Sequence, residues 1–381
     1  MKDLDDLTVA IVGGGIGGLT AALAFARKGC RVCVYEQADA LKEVGAGIQV
    51  SPNGAAVLEG LGLSDHAAAR GLDAEAVIPM AALTGKALAR FDLTRGQRPY
   101  RFFRRPDLIG MLAGACAEAG VEVELGARIA AADDVGADLV VGADGVKSLV
   151  RGDVTGTDRD PMFTGQVAWR AVVPDQGDDP VARIWMAPGK HVVTYPLRDG
   201  GLNIVAVQER AEWAAEGWAH ADDPGALQAV FSDCSRHLKD ILQKVDKVHL
   251  WGLFRRPVAS RLFRRNVVLM GDAAHPTLPF LAQGANLALE DGYVLAACLE
   301  ENVDMQRGLA AYQRARHGRV TRAINAANAN ARNYHLGGMR AAVAHTGLRM
   351  MGQVAPSAFL SRLSWLYDHD VTQKNYQLAA V

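Results

Sequence analysis

Gly13, Gly15 and Gly18 are spaced as Gly-x-Gly-x-x-Gly, and Glu36 follows the last of them by 18 residues. Glycines at this spacing leave backbone bare. The first permits a tight turn, the second lets the chain approach a pyrophosphate, and the third lets a helix lie against a strand. Free N–H groups at the start of that helix attract phosphate, and an acid at position 36 accepts a ribose hydroxyl. An acid rather than a base there suits a nucleotide whose ribose 2′-hydroxyl is free, such as FAD or NAD. The chemistry these residues can do is the binding of a dinucleotide.

Those glycines need a frame. Thr8–Val12 is a short apolar, β-branched run that reads as a buried parallel strand, and Leu19 to Lys28 reads as the helix after it. Gly29 ends the helix, and Arg31–Tyr35 forms a second strand closed by Glu36. Two competing readings of this stretch fail. Val9 to Ala26 is 18 residues with Thr20 as its one polar side chain, long enough for a membrane helix or a signal-peptide core. Asp3, Asp5 and Asp6 precede it where a signal peptide carries positive charge, and five glycines interrupt it. Cys30-Arg-Val-Cys33 is spelled like a redox pair, which places both sulfurs at a helix start. Here Cys33 lies in a strand, where positions i and i+3 face opposite ways, so two buried structural cysteines are expected.

Three later segments carry more chemistry. Asp138-Leu-Val-Val-Gly-Ala-Asp144-Gly145 is an apolar strand running into Asp-Gly. Asn266-Val-Val-Leu-Met-Gly271-Asp272-Ala-Ala-His275-Pro276 is another, ending in Gly-Asp. Pro279-x-x-x-Gln283-Gly284-Ala285-Asn286 leads into a helical run from Leu287 to Leu299. A carboxylate at the carboxyl end of a strand, such as Asp272, sits where open α/β sheets bind ligands. Gly284, Ala285 and Asn286 lie near a helix start, whose N–H groups and dipole favour negative charge.

The Gly-rich loop, the Asp-Gly segment and the Gly-Asp segment, in that order, resemble the single-component FAD-dependent aromatic hydroxylases, the family of the para-hydroxybenzoate hydroxylase fold. Gly45-Ala-Gly47-Ile48, Ser51-Pro-Asn53, Arg104-Arg105-x-Asp107-Leu108, Trp169-Arg170 and Tyr195-Pro196 agree with it, and Trp365-Leu-Tyr367-Asp368 points to the salicylate hydroxylase-type branch. The resemblance implies FAD as the cofactor, held by Gly13, Gly15, Ile16, Gly18, Glu36, Gly47, Arg105, Asp144, Asp272, Pro279, Gly284, Ala285 and Asn286. Asp272 would bind the ribityl chain, and Arg105 would approach the phosphates or that chain. Asp144 would face the cofactor; a turn-forming Asp before Gly is the other reading of the same residue. Pro279 and Gln283 would lie against the flavin ring, with Gln283 equally readable as a helix-start residue bonding the backbone. Gln49 is a further candidate for pocket lining. No second Gly-x-Gly-x-x-Gly unit follows a strand, so NAD(P)H is expected to bind transiently without a Rossmann domain of its own.

The reaction so implied passes a hydride from NAD(P)H to FAD, captures O2 as a flavin C4a-hydroperoxide and hydroxylates a small electron-rich aromatic substrate, hydroxybenzoate-, salicylate- or hydroxypyridine-like. A phenol has an ordinary pKa near 10, so ionising it at pH 7 costs about 4 kcal/mol without help. Histidine is the natural base near neutrality. Of ten histidines, His66, His220, His237, His317 and His369 sit in polar stretches and are expected on the surface, while His275 is expected to support the Gly-Asp turn. His191 begins His191-Val-Val-Thr-Tyr195, and positions i and i+4 of a strand share a face. By resemblance His191 is the base and Tyr195 bonds the substrate, with Gln283 completing the catalytic set. A His191 merely packed at the sheet surface is the alternative.

The fold expected is α/β: a Rossmann-like FAD-binding domain with a mostly parallel sheet, an antiparallel-sheet substrate domain and C-terminal helices. Residues 1–72, 101–160 and 256–325 would form the first, and 73–100 with 161–255 the second. Residues 326–381 would be a C-terminal helical segment. The β-type stretches of the second domain are Val77–Phe91, Gly165–Val173, Val181–Met186, His191–Leu197 and Gly201–Gln208, followed by a mostly helical Asp222–Leu242. Arg314, Arg316, Arg319 and Arg322 read as a solvated helix face. Arg255, Arg256, Arg261, Arg264 and Arg265 read as a solvated loop, with a landing patch for NAD(P)H phosphates as the sharper alternative.

Composition sets the outer bounds. The 381 residues include 40 glycines, roughly 13 more than average usage predicts. Half the residues are apolar and 22% are charged, which excludes a disordered chain. A net charge of −1 gives no whole-protein field for nucleic acid. Five cysteines make no disulfide scaffold, so reduced thiols and a cytoplasmic location are expected. The partners expected are a small aromatic substrate, O2 and NAD(P)H, with no membrane span; monomer and homodimer are both open. One rival is a hydroxylase or epoxidase of a larger apolar or quinone-precursor substrate. Another is a non-catalytic carrier on the same fold, which would bind no flavin.

Overall fold

The computed structural model describes residues 4–41, 47–156, 160–174, 179–211, 219–354 and 360–378. Gly45 and Ala46 of the expected Gly-Ala-Gly segment lie outside the described residues. Thr8–Val12 is a strand filled by small and β-branched apolar side chains, buried on both faces beyond Thr8. It sits inside a six-stranded sheet with the order Phe263–Arg264, Val267–Leu269, Leu139–Gly142, Thr8–Val12, Arg31–Glu36, Glu122–Leu125. All its pairings are parallel except the edge hairpin of Phe263–Arg264 on Val267–Leu269. The carboxyl ends of three neighbouring strands therefore open on one side, where Gly13, Ala143 and Gly271 leave the sheet.

The first helix is Ile16–Ala26, earlier in the chain than the expected Leu19 to Lys28. Glycine explains the early start: a Cβ on Gly18 would stand 1.9 Å from Gly13 O, so only a bare Cα lets the helix begin that close to the strand. The long apolar run is thus divided between a strand and a helix. Among the described residues no helix is long and apolar enough to cross a membrane. All five cysteines are free; Cys30 is buried as expected, whereas Cys33 is half-buried.

A second sheet has nine strands. Its main path runs Ala219–Asp222, Val248–Arg255, Met162–Pro174, Gly201–Glu209, Lys190–Pro196, Val181–Ala187, Ala76–Ala81, Lys86–Ala87, and Phe91–Asp92 also pairs with Ala76–Ala81. It is antiparallel with one exception: Val181–Ala187 runs parallel to Ala76–Ala81. Those two strands come from distant parts of the chain, so no hairpin turn forces them to oppose. The helical Asp222–Leu242 resolves into two short helices, Pro224–Val230 and Arg236–Leu242, whose Leu227, Leu238 and Leu242 join Trp169 and Trp185 in one apolar cluster. A small ribbon of Gly47–Val50, Arg101–Arg104 and Leu72–Asp73 joins the two sheets in lining the cavity described next. The helix Met305–Tyr334 passes without a break through 325/326, the expected start of a separate C-terminal segment.

Candidate active site

The carboxyl edge of the parallel sheet, the small ribbon and one face of the nine-stranded sheet line a cavity of about 900 Å³. At its nucleotide end lie Gly13, Gly15, Ile16 and Glu36. Gly13 has φ +110°, and a Cβ there would meet Ala143 O at 2.4 Å, so the turn admits only glycine. A Cβ on Gly15 would meet nothing within 4 Å. That is open space over the start of the Ile16–Ala26 helix, where a diphosphate would have to lie. Glu36 accepts from Gly14 N at 2.7 Å and from Ala38 N at 2.9 Å, which fixes its carboxylate at the cavity wall.

Along the middle of the cavity come Arg105, Asp144 and Asp272. Asp144 Oδ2 accepts from Leu149 N at 2.7 Å, so the turn-forming reading holds for one oxygen. Its other oxygen is buried and has no partner among the described residues. Burial raises its pKa. Burial likewise raises the Asp272 carboxyl against the pull of His275 and Arg105. The Arg105 guanidinium is pushed down to about 10 by burial and by the Arg170 charge. An orphaned acceptor, an open cradle over a helix start and an acid beside an arginine fit a dinucleotide spanning this wall. Gly284 and Ala285, at the start of the Gly284–Glu300 helix, face the far end with Pro279.

There the nine-stranded sheet contributes His191, Tyr195 and Arg170. His191 and Tyr195 line the same cavity, as their spacing requires. His191 is 2% exposed, packed against Phe280, Tyr334 and His335. Burial, then the neighbouring His335, drives its pKa well below the ordinary 6.5, so the ring is neutral at pH 7. Burial raises the Tyr195 phenol, with Arg170 pulling the other way, so Tyr195 is a neutral donor rather than a phenolate. Tyr195 also explains Gly47: a Cβ there would stand 2.7 Å from Tyr195 Cε2.

Three expected site residues do not line the cavity. Gly18 packs behind it, against Gly13. Gln283 is buried with its amide donating to Ser51 Oγ at 2.9 Å and its carbonyl accepting from Asn53 Nδ2 at 3.1 Å. These bonds tie Gln283 to Ser51 and Asn53 and hold it behind the residues that line the cavity rather than among them, where the catalytic set was expected. Asn286 accepts from Ser51 N at 3.0 Å and donates to Gln49 O and Ala282 O, so its side chain ties the ribbon to the helix start.

Behind the cavity lies a buried ionic network that local sequence patterns concealed. Asp291 accepts from Gly271 N at 2.9 Å, sits 2.5 Å from His275 Nε2 and accepts from Arg316 Nε at 2.6 Å. Glu290 is bonded by Arg316, by Arg319 at 2.5 Å and by Asn53 at 2.6 Å. The solvated arginine face is thus half wrong: Arg314 and Arg322 are exposed, while Arg316 is 1% exposed and Arg319 turns inward. Burial would raise the Asp291 carboxyl, but His275 and Arg316 outweigh it and hold it below the ordinary range. The signal was present: two adjacent acids inside an apolar helix need buried partners. His275 supports the Gly-Asp turn through Asp291, as expected. Of the histidines expected on the surface, His66 and His237 are exposed, whereas His220, His317 and His369 are half-buried.

The Arg255–Arg265 stretch also divides. Arg256 is buried and lines the cavity; Arg255, Arg261, Arg264 and Arg265 are exposed. Arg264 and Arg265 stand at the amino end of the Val267–Leu269 strand, opposite the edge that opens on the cavity. A landing patch at those two residues therefore does not fit the topology.

The match to known proteins agrees with this geometry. Residues 6–327 match the family model described as FAD binding domain. The chain is 36% identical to 3-amino-4-hydroxybenzoate 2-monooxygenase of Streptomyces cremeus, over 87% of this chain and 88% of that protein. It is 32% identical to 3-hydroxybenzoate 6-hydroxylase 1 of Aquipseudomonas alcaligenes, over 96% of this chain and 98% of the other. The solved structure of Klebsiella pneumoniae HpxO complexed with FAD and uric acid is 26% identical, covers 94% of this chain and 97% of that one, and superposes with a TM-score of 0.82. The chain belongs to the FAD-dependent aromatic hydroxylase family. It is a flavoprotein monooxygenase.

Proposed function

We propose that this monooxygenase hydroxylates a small hydroxy-substituted aromatic acid of the hydroxybenzoate class, with NAD(P)H and O2 as co-substrates. One observation carries the reading: a neutral imidazole, His191, shares the cavity wall with a neutral phenol, Tyr195, and a guanidinium, Arg170. A base that withdraws the ring hydroxyl's proton activates the ring, and a cation nearby receives the carboxylate. A wall built for a large apolar or quinone-precursor substrate would carry no such pair. The relatives named for hydroxybenzoates support the same class.

When bound, FAD supplies hydride acceptance and oxygen activation. The chain's own residues do the rest. The backbone at Gly13, Gly15 and Ile16 would hold the diphosphate together with Arg105. Glu36 would take a ribose hydroxyl, Asp272 the ribityl chain, and the N–H groups of Gly284, Ala285 and Asn286 the electron-rich edge of the ring. Residues 1–72, 101–160 and 256–325 carry the cofactor, and 73–100 with 161–255 cover it. The free thiols and the use of NAD(P)H suit the cytoplasm. A panel of hydroxybenzoates, hydroxypyridine carboxylates and the matching phenols without a carboxylate tests the substrate class. NAD(P)H oxidation accelerates with the acids and much less with the phenols; equal response to both removes the role given to Arg170.

A further inference from the structure

His191 is the first member of a chain of bonded groups. Its Nδ1 lies 2.7 Å from His335 Nε2, and His335 Nδ1 lies 2.8 Å from Glu209 Oε1. The side chain of His335 is 3% exposed and that of Glu209 is 55% exposed. Three titratable groups therefore run from the cavity wall to water, through a seal made by Phe280 and Tyr334.

The three come from separate elements that the backbone holds in place. His191 is in the Lys190–Pro196 strand, Glu209 ends the Gly201–Glu209 strand, and His335 follows the Met305–Tyr334 helix. Gly189 N donates to His335 O at 3.2 Å, and Glu209 N donates to Gly189 O at 2.9 Å. Lys190, next to His191 in the strand, is turned away to Asp233 at 2.6 Å, and Arg210, next to Glu209, lies over the Trp169 ring. Met186 and Val207, which flank His191 across the sheet, are uncharged. Burial lowers the His335 pKa while Glu209 raises it, so the second ring is also neutral at pH 7.

We propose that His335 and Glu209 form a relay that carries the substrate's hydroxyl proton from His191 to solvent while the cavity stays closed. The proposal rests on His191 as the base. With Glu209 ionised, His335 holds its proton on Nδ1 and presents Nε2 as an acceptor. His191 then holds its proton on Nδ1, which leaves Nε2 bare for the substrate. When Nε2 takes the hydroxyl proton, the Nδ1 proton passes to His335 Nε2, and the His335 Nδ1 proton passes to Glu209 and on to water. One proton leaves the cavity, both imidazoles end neutral, the charge left behind is that of the activated substrate phenolate, and the reverse transfer on product release restores both tautomers. His335 acts through His191 and does not touch the substrate.

The test uses FAD-loaded enzyme. In protein labelled with 15N-histidine, long-range proton–nitrogen spectra place the proton on Nδ1 of both His191 and His335; a proton on His335 Nε2 in the resting enzyme overturns the relay. His335→Phe fills the site and breaks the chain, and kcat with the best acid of the panel falls at least about tenfold with KM within about twofold. Added imidazole restores turnover to His335→Gly and not to His335→Phe. If His335→Phe turns over like the parent while His191→Ala is inactive, the relay fails and the base stands. If His191→Ala is fully active, the base reading fails and takes the relay with it.

Discussion

A buried imidazole is a base only while it stays unprotonated, and the apolar packing around His191 keeps it so. Its pKa lies below the ordinary 6.5, so activity that needs the neutral ring persists to a lower pH than a solvated histidine allows. The acid limb of kcat/KM is expected below pH 6.5, and a limb at or above that value contradicts the burial argument. The same shift affects stability. The unfolded chain binds this proton near pH 6.5 and the folded chain does not, so folding loses free energy as pH falls below that point. His191→Ala is expected to lower turnover by about 10²–10⁴-fold with FAD content unchanged, read by steady-state rates and the flavin absorption band. That His191 and Tyr195 share one cavity wall was legible because strand alternation is a local rule, while the roles given to them came from the resemblance. His335 was not, since it meets His191 across 144 positions and nothing near it in the chain marks the contact.

At the scale of elements, two glycines in one motif separate binding from folding. A methyl on Gly15 meets nothing, whereas one on Gly18 meets Gly13 O at 1.9 Å. Gly15→Ala is therefore expected to leave the melting temperature of the flavin-free protein unchanged and to weaken FAD binding, as measured by flavin titration. Gly18→Ala is expected to lower the melting temperature itself. Equal effects of the two would show that the space over Gly15 is not where the diphosphate lies. The helices Gly284–Glu300 and Met305–Tyr334 are joined through Arg316, which bonds both Glu290 and Asp291. Arg316→Met leaves two acids buried without their shared cation and is expected to cost about 3–5 kcal/mol in urea unfolding. The strand–glycine–helix–strand unit was readable because its glycines, its helix stop and its acid fall within a short span. The direction of the Ala76–Ala81 pairing and the inward turn of Arg316 and Arg319 were not readable. A parallel pair has no turn signal, and an arginine on a helix looks solvated until its acid partners on another helix are known.

At the scale of the molecule, two sheets divide the work. The parallel sheet presents backbone at its carboxyl edge, and the nine-stranded sheet presents side chains from its face. Gly13 and Gly47 belong to this division, being bare where Ala143 and Tyr195 come too close for a Cβ. The parallel half was foreseeable from three short motifs, and the opposing wall only from their order along the chain and the resemblance they carry. The cavity is expected to couple oxygen activation to a hydroxyl-bearing aromatic acid. The most direct measurement of this coupling is the fate of the oxygen: enzyme, FAD, NAD(P)H and the best acid of the panel under 18O2, with the product analysed by mass spectrometry. One 18O atom is expected in a newly hydroxylated ring, with product formed and NAD(P)H consumed in near-equal amounts. Oxidation of NAD(P)H that yields only hydrogen peroxide with every acid in the panel would contradict it.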